Sequence, residues 1–133
     1  MKAVFADTSF FLASLNPEDE THGQAITLSR QVTVSRVTTA FVLLEVANAM
    51  CRSSQRAHFV EFLSQLREHP QVRIIPASQE LFDQGAELYA QRKDKDWSLT
   101  DCISFVVMKD AGLSEALTAD HHFVQAGFKA LLS

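Results

Sequence analysis

The sequence predicts an α/β fold, a mostly parallel sheet of four to five strands with helices on both faces. Three observations lead there. Short apolar segments of strand length recur along the chain, and longer segments with helical periodicity separate them. Such alternation builds βαβ units around a parallel sheet. Of the 133 residues, 47% are apolar and 10 are Phe, enough to bury one core without disulfides or metals. With 4 Gly and 3 Pro, the chain is not collagen-like, linker-rich or disordered. The expectation is a single domain over residues 1–133.

The elements follow in order. Lys2–Ala6 (KAVFA) is short and apolar and reads as a buried strand. Residues 8–15 read as a helix, stopped by Asn16-Pro17. Residues 18–31 read as a polar amphipathic helix. The alternation of Val32–Val37 (VTVSRV) marks a second strand, after which Thr38 or Thr39 caps an apolar helix to about Arg52. Phe59, Phe62, Leu63 and Leu66 give residues 55–68 helical spacing. Val72–Ile75 is a third strand, closed by Pro76, and 78–92 a further amphipathic helix. Ser98 opens a helix to about Asp110. Ala116–Ala119 reads as a fourth strand, 121–126 as a short helix and Gly127–Leu132 as an edge strand.

Composition narrows the function. Net charge is −4, from 16 acids against 12 Lys and Arg. That runs against a generic nucleic-acid binder, whose affinity comes from a basic surplus. No apolar run approaches the roughly 18 residues of a membrane span. The start MKAVFADTSFFL is broken by Asp7 and lacks a small-residue cleavage pattern, so a cytoplasmic protein without a secretion signal is expected. Cys51 and Cys102 each fall in an apolar helical segment, with no spacing for a disulfide framework or a thiolate metal site.

Four acids stand out. Asp7 follows the first strand and Asp120 the fourth, and a parallel sheet carries its functional crevice beyond the carboxyl ends of its strands. Asp101 lies in the first turn of SLTDCISFVVM. Glu45 is the only charge in AFVLLEVANAMC, a helix apolar on nearly all sides and therefore expected to be buried, with no Lys or Arg within a turn of it. Each acid also has a purely structural reading. Asp7 and Asp120 suit helix N-caps, Ser98 and Asp101 a capping box, and Glu45 a pairing with a distant Arg.

If the four converge, the chemistry follows. Two carboxylates about 4 Å apart repel by roughly 4 kcal/mol at an effective dielectric of about 20. Four ionised together need a cation, and like charge is expected to raise their pKa values. All-oxygen ligands favour Mg²⁺ or Mn²⁺ over zinc. Such an ion deprotonates a water and stabilises charge on a phosphodiester, which favours a nuclease or phosphatase over an acyl-transfer enzyme.

The segments VFADTSFFLA, DKDWSLTDCISFVVM and LTADHHFVQAGF, with the lone Glu45 between them, resemble a PIN domain over essentially the whole chain. Within that family the chain resembles the small stand-alone members, including VapC-type toxins of toxin–antitoxin pairs. The resemblance implies a three-layer α/β/α sandwich and Mg²⁺- or Mn²⁺-dependent cleavage of RNA. It implies that Asp7 and Asp101 hold the metal most directly and that Glu45 and Asp120 complete the pocket, directly or through water. It implies supporting roles for the hydroxyls of Thr8, Ser9 and Ser98. It further implies a homodimer, an RNA substrate and a cognate antitoxin. The alternatives are a PIN-like RNA-processing nuclease outside a toxin system, and a catalytically silent RNA-binding or protein-interaction module. A phospho-receiver domain would need an Asp after the third strand, where VRIIPA has none. A haloacid-dehalogenase-type phosphatase would need an Asp at Ser9.

The remaining features carry less. His121 and His122 suit packing, capping or exposed roles, because the pocket is built of oxygens. Trp97 can staple onto Cys102 or, in the sharper reading, stack on an RNA base. Arg92, Lys93 and Lys95 can contact phosphates, although the interleaved Asp94 and Asp96 favour a solvated loop. Asp96 can also act behind the four acids.

Overall fold

A computed structural model describes residues 2–31 and 33–132. Among these residues the chain runs β1 (Lys2–Ala6), α1 (Thr8–Leu15), α2 (His22–Ser29), β2 (Val34–Thr39), α3 (Ala40–Ala49) and α4 (Arg56–Glu68). It continues with β3 (Val72–Ile75), α5 (Gln79–Gln91), α6 (Leu99–Asp110), β4 (Glu115–Leu117), α7 (His121–Gln125) and β5 (Lys129–Ala130). The strands form one sheet in the order β3-β2-β1-β4-β5, every pair parallel. Seven helices flank it, the layered α/β/α arrangement expected.

The order fixes where chemistry can sit. From β1 the chain moves outward through β2 to β3, then returns to place β4 on the other side of β1. The order therefore reverses between β1 and β4, and a crevice opens beyond their carboxyl ends. The core is built from Val4, Phe5 and Ala6 of β1, Phe10 and Phe11 of α1, Val42 and Val46 of α3, Ile103 and Met108 of α6, and Phe123 of α7. Phe105 stacks edge-on against both Phe123 and Trp97, which ties α6 to α7.

Several boundaries differ from the sequence reading, each for a local reason. The second helix starts at His22, not residue 18. Asn16 accepts the amide of Glu18, and Asp19 accepts both the amide and hydroxyl of Thr21, so side chains take the hydrogen bonds a helix would use. The second strand runs on through Thr38 and Thr39, paired with Ile74 and Ile75. Val32, placed at its start, lies outside the described residues. Helix α3 ends at Ala49 rather than Arg52, and the Arg56 guanidinium takes up the carbonyl of Cys51, which is exposed. Strand β4 stops at Leu117 because the Thr118 hydroxyl accepts the Asp120 amide and turns the chain. The last strand shrinks to Lys129–Ala130, preceded by Gly127 at φ +96.

Trp97 corrects a further expectation. It is 6% exposed, packed on Phe105, and its Nε1 donates to Gln125 Oε1 at 3.0 Å. Its ring is a core element and offers no free face to a base.

Helices α5 and α6 pack closely, and Gly85 permits it. A Cβ at that position would lie 2.3 Å from Ile103 Cγ1 and 3.2 Å from the Ile103 backbone. Gly85→Ala is therefore expected to destabilise the protein by about 1–3 kcal/mol, outweighing the roughly 1 kcal/mol that Ala gains over Gly in a helix. Thermal denaturation checks this, and a drop of several degrees is the expected result.

Candidate active site

Two strand ends and two helices bring the acids together. Asp7 leaves β1, Glu45 projects from α3 behind the end of β2, Asp101 sits in the first turn of α6, and Asp120 follows β4. All four line one cleft of about 340 Å³, together with Thr8, Ser9, Leu12, Asp96, Ser98 and His122.

Asp7 is the most enclosed, at 4% exposure. It stands at the N-cap position of α1, but its side chain makes no capping bond to that helix. The carboxylate instead takes the hydroxyl of Thr118 on Oδ2 at 2.9 Å. The Ser9 hydroxyl lies 3.1 Å from Thr118 Oγ1 and 3.5 Å from Asp7 Oδ2, within hydrogen-bond reach of both. Ser9 accepts the Ala119 amide in turn at 3.2 Å. This small network binds the end of β1 to the end of β4. Burial raises the Asp7 pKa to about 7, more than the Thr8 and Thr118 hydrogen bonds lower it, with smaller upward contributions from Asp101 and Glu45. Like charge was the expected cause. Desolvation leads instead, and repulsion comes behind it.

Asp101 does two things at once. Ser98 Oγ accepts its amide at 3.0 Å, and its own Oδ2 accepts the Ser98 amide at 3.2 Å, a complete capping box. The same Oδ2 faces His122 Nδ1 at 3.0 Å. Burial raises its pKa, opposed by the Ser98 amide and by His122, while Asp120 raises it further. Asp120 caps α7 through the amide of His122 at 2.9 Å and also lies 3.3 Å from His122 Nδ1. The structural readings of Asp101 and Asp120 are thus both realised, and neither removes the residue from the cleft.

Glu45 corrects its own premise. Helix α3 is not apolar and buried all round: Leu44 is 58% exposed, Asn48 is exposed, and Glu45 is half-buried. Its partner is the Thr8 hydroxyl, which donates to Oε1 at 2.6 Å. No distant Arg reaches it. Among the described residues no Lys or Arg forms an ion pair with any of the four acids.

The sequence reading sets His122 aside as a packing, capping or exposed residue, yet it lines the cleft, and the buried Thr118 escapes that reading altogether. His122 lies between Asp101 and Asp120, its Nδ1 3.0 Å from one carboxylate and 3.3 Å from the other. With Asp120 and the exposed His121 it forms a compact set of potential metal-ligating atoms. Thr118 is the hub of the Asp7 network. The available signal was position: both flank Asp120 in LTADHH, immediately beyond a strand end.

The PIN domain family model matches residues 4–129. The chain belongs to the PIN domain family. A curated relative, the 23S rRNA-specific endonuclease VapC20 of Mycobacterium tuberculosis, is 30% identical over 125 residues, covering 94% of this chain and 95% of the relative. The crystal structure of that VapC20, titled a sarcin–ricin loop cleaving toxin, superposes with a TM-score of 0.83 at 29% identity, covering 94% of this PIN domain and 95% of that chain. VapBC2 from Rickettsia felis, solved bound to a promoter DNA fragment, shares the fold at a TM-score of 0.68 and 13% identity, with 96% of each chain covered. FitAcB from Neisseria gonorrhoeae does so at 0.67 and 19%, covering 96% and 94%.

The buried carboxyl of this PIN domain sets a pH dependence. An unfolded Asp ionises near its ordinary value, whereas folded Asp7 does so near 7. Between those values the unfolded chain has released a proton that the folded protein keeps, so metal-free stability falls as pH rises from about 4 to about 7 and levels off above. Asp7→Asn removes the ionisation. It is expected to raise the metal-free melting temperature at pH 8, with the gain disappearing toward pH 4. Calorimetry across that range checks it, and an Asn variant that melts lower at pH 8 would refute the sign.

Proposed function

We propose that this PIN domain is an endoribonuclease that hydrolyses RNA phosphodiester bonds using Mg²⁺ or Mn²⁺, and that it serves as the toxin of a toxin–antitoxin pair. The observation that carries this is one cleft lined by four carboxylates, two of them buried, with no Lys or Arg among the described residues paired to any. Burying carboxylates without a paired Lys or Arg is costly, and the oxygens of four carboxylates, with the His122 ring beside two of them, fit a hard divalent cation. The donors therefore fit the ion. Similarity to an rRNA endonuclease over nearly the full chain supports RNA as the substrate.

Asp7 and Asp101 would hold the ion directly, with Glu45 and Asp120 contributing directly or through water. When bound, a divalent ion lowers the pKa of a coordinated water and neutralises charge developing on the phosphate. The chain's own residues do the positioning. Thr118 fixes Asp7 Oδ2, the Ser98 amide and His122 fix Asp101 Oδ2, and Thr8 holds Glu45 Oε1. Each carboxylate is thus oriented before any ligand arrives, which removes that ordering from the chemical step.

The same reading extends to the partners. The antitoxin would be a protein able to offer an Arg or Lys to the uncompensated carboxylates. We further propose residues 1–133 as one functional domain, acting in the cytoplasm as a homodimer. Among the described residues no helix is long and apolar enough to cross a membrane.

Purified protein is expected to cut 23S rRNA with Mg²⁺ or Mn²⁺ and to stop on chelation. Asp7→Ala and Asp101→Ala are each expected to lower the rate by about 100-fold or more, equivalent to several kcal/mol of transition-state stabilisation. Circular dichroism should show the fold intact. Expression alone is expected to arrest growth. Undiminished cleavage by either variant would overturn the assignment, and harmless expression of an active nuclease would remove the toxin part.

A further inference from the structure

The segment joining α5 to α6 concentrates positive charge in an acidic protein. Arg92, Lys93 and Lys95 supply three of the chain's 12 basic residues within four consecutive positions. With Tyr89, from the last turns of α5, they line a groove of about 860 Å³. Asp96 and Ser98 line both this groove and the acidic cleft, so the two are continuous.

The three cations are not equivalent. Arg92 stands 4.8 Å over the Trp97 ring and binds Asp94 through Nε and Nη2 at 3.0 and 3.1 Å. Its charge is neutralised, and it stiffens the loop. Among the described residues Lys93 and Lys95 form no ion pair, and the Tyr89 ring, 55% exposed, stacks on no other ring. Two ammonium groups outside any close ion pair, that of Lys95 near enough to Asp94 to lower its pKa, and one open aromatic ring therefore line the groove beside the cleft.

This arrangement addresses a difficulty set by the net charge. A cluster of carboxylates repels a polyanion, so affinity for RNA has to come from surface outside it. We infer that the Tyr89–Lys93–Lys95 groove seats the single-stranded RNA flanking the scissile phosphate, the ammonium groups on backbone phosphates and the Tyr89 ring on an unstacked base. The inference rests on the ribonuclease reading and adds the path of the substrate. A duplex keeps its bases stacked on one another and has none to lend to Tyr89, so the groove selects loops and single strands. Phosphate contacts and stacking carry little sequence information, so the groove sets affinity and register and leaves sequence choice to other contacts.

The test uses a 23S rRNA fragment spanning the sarcin–ricin loop, with full-length protein and Mg²⁺ or Mn²⁺. Lys93→Ala/Lys95→Ala is expected to raise KM about tenfold, with the loss falling on KM rather than kcat. The slope of log affinity against log salt, measured by binding to the cleavage-dead Asp7→Ala background, should shrink by about 1.4, or about 0.7 for each phosphate no longer neutralised. Tyr89→Ala is expected to raise KM about tenfold without changing that slope, and Tyr89→Phe to recover most of the loss. Arg52→Ala/Arg67→Ala removes the same charge from the α3–α4 connection and α4, and should leave KM and slope at wild-type values. If wild-type protein cleaves the fragment while the groove variants match it, or match the Arg52→Ala/Arg67→Ala control, the inference fails and the nuclease reading stands. If wild-type protein neither binds nor cleaves the fragment, both fall.

Discussion

The hydroxyl of Thr118 donates to Asp7, accepts the amide of Asp120 and lies 3.1 Å from the hydroxyl of Ser9. These bonds clamp the ends of two neighbouring parallel strands at the point where the sheet order reverses. Asp7 is thereby held as a buried carboxylate, and Asp120 is turned back to start α7. From there the remaining geometry follows. Helix α7 presents His122 to Asp101, and Asp101 is already fixed by its box with Ser98. A carboxylate on each of several elements then faces a single volume, although the four residues span positions 7 to 120.

The cleft is an energetic liability that the fold tolerates. Asp7 gives up its ordinary acidity, and Asp101 moves in the same direction, because solvent is withdrawn from both. Hydrogen bonds from Thr118, Ser98 and His122 recover part of that loss, but not all of it. On the proposed reading, a cation entering the cleft would relieve a cost already present in the folded protein. The basic segment after α5 would complement this arrangement, separating the charge proposed to attract a polyanion from the charge proposed to act on it.

Much of this was legible in the residue order. The alternation of apolar and amphipathic segments gave the parallel sheet, and the strands at Lys2–Ala6 and Val72–Ile75 lay where their apolar runs placed them. Asp7 and Asp120 were visible because an acid directly after a buried strand occupies the sheet's carboxyl edge. Ser98 and Asp101 carried their own spacing. What stayed hidden depended on tertiary placement. Periodicity made α3 look wholly buried, but Leu44 and Asn48 face outward, since a ten-residue helix beside an open cleft has one side uncovered. His122 looked like a cap neighbour until the fold of α7 set it against α6. Residues 18–21, after the stop at Asn16-Pro17, read as the start of the second helix, whereas the short side chains of Asn16 and Asp19 bond the local backbone there.

The two rims of the sheet have a bearing on how the protein behaves in a crowded cell. One rim is β3, four residues long, carrying an outward Arg73 and running directly into Pro76. The other is β5, only two residues long, one of them Lys129, and preceded by a glycine turn. A proline, a charge and sheer brevity each deny a foreign strand the continuous row of amides and carbonyls it would need to add on. The folded sheet therefore offers little template for edge-to-edge strand addition, even where neighbouring molecules are dense.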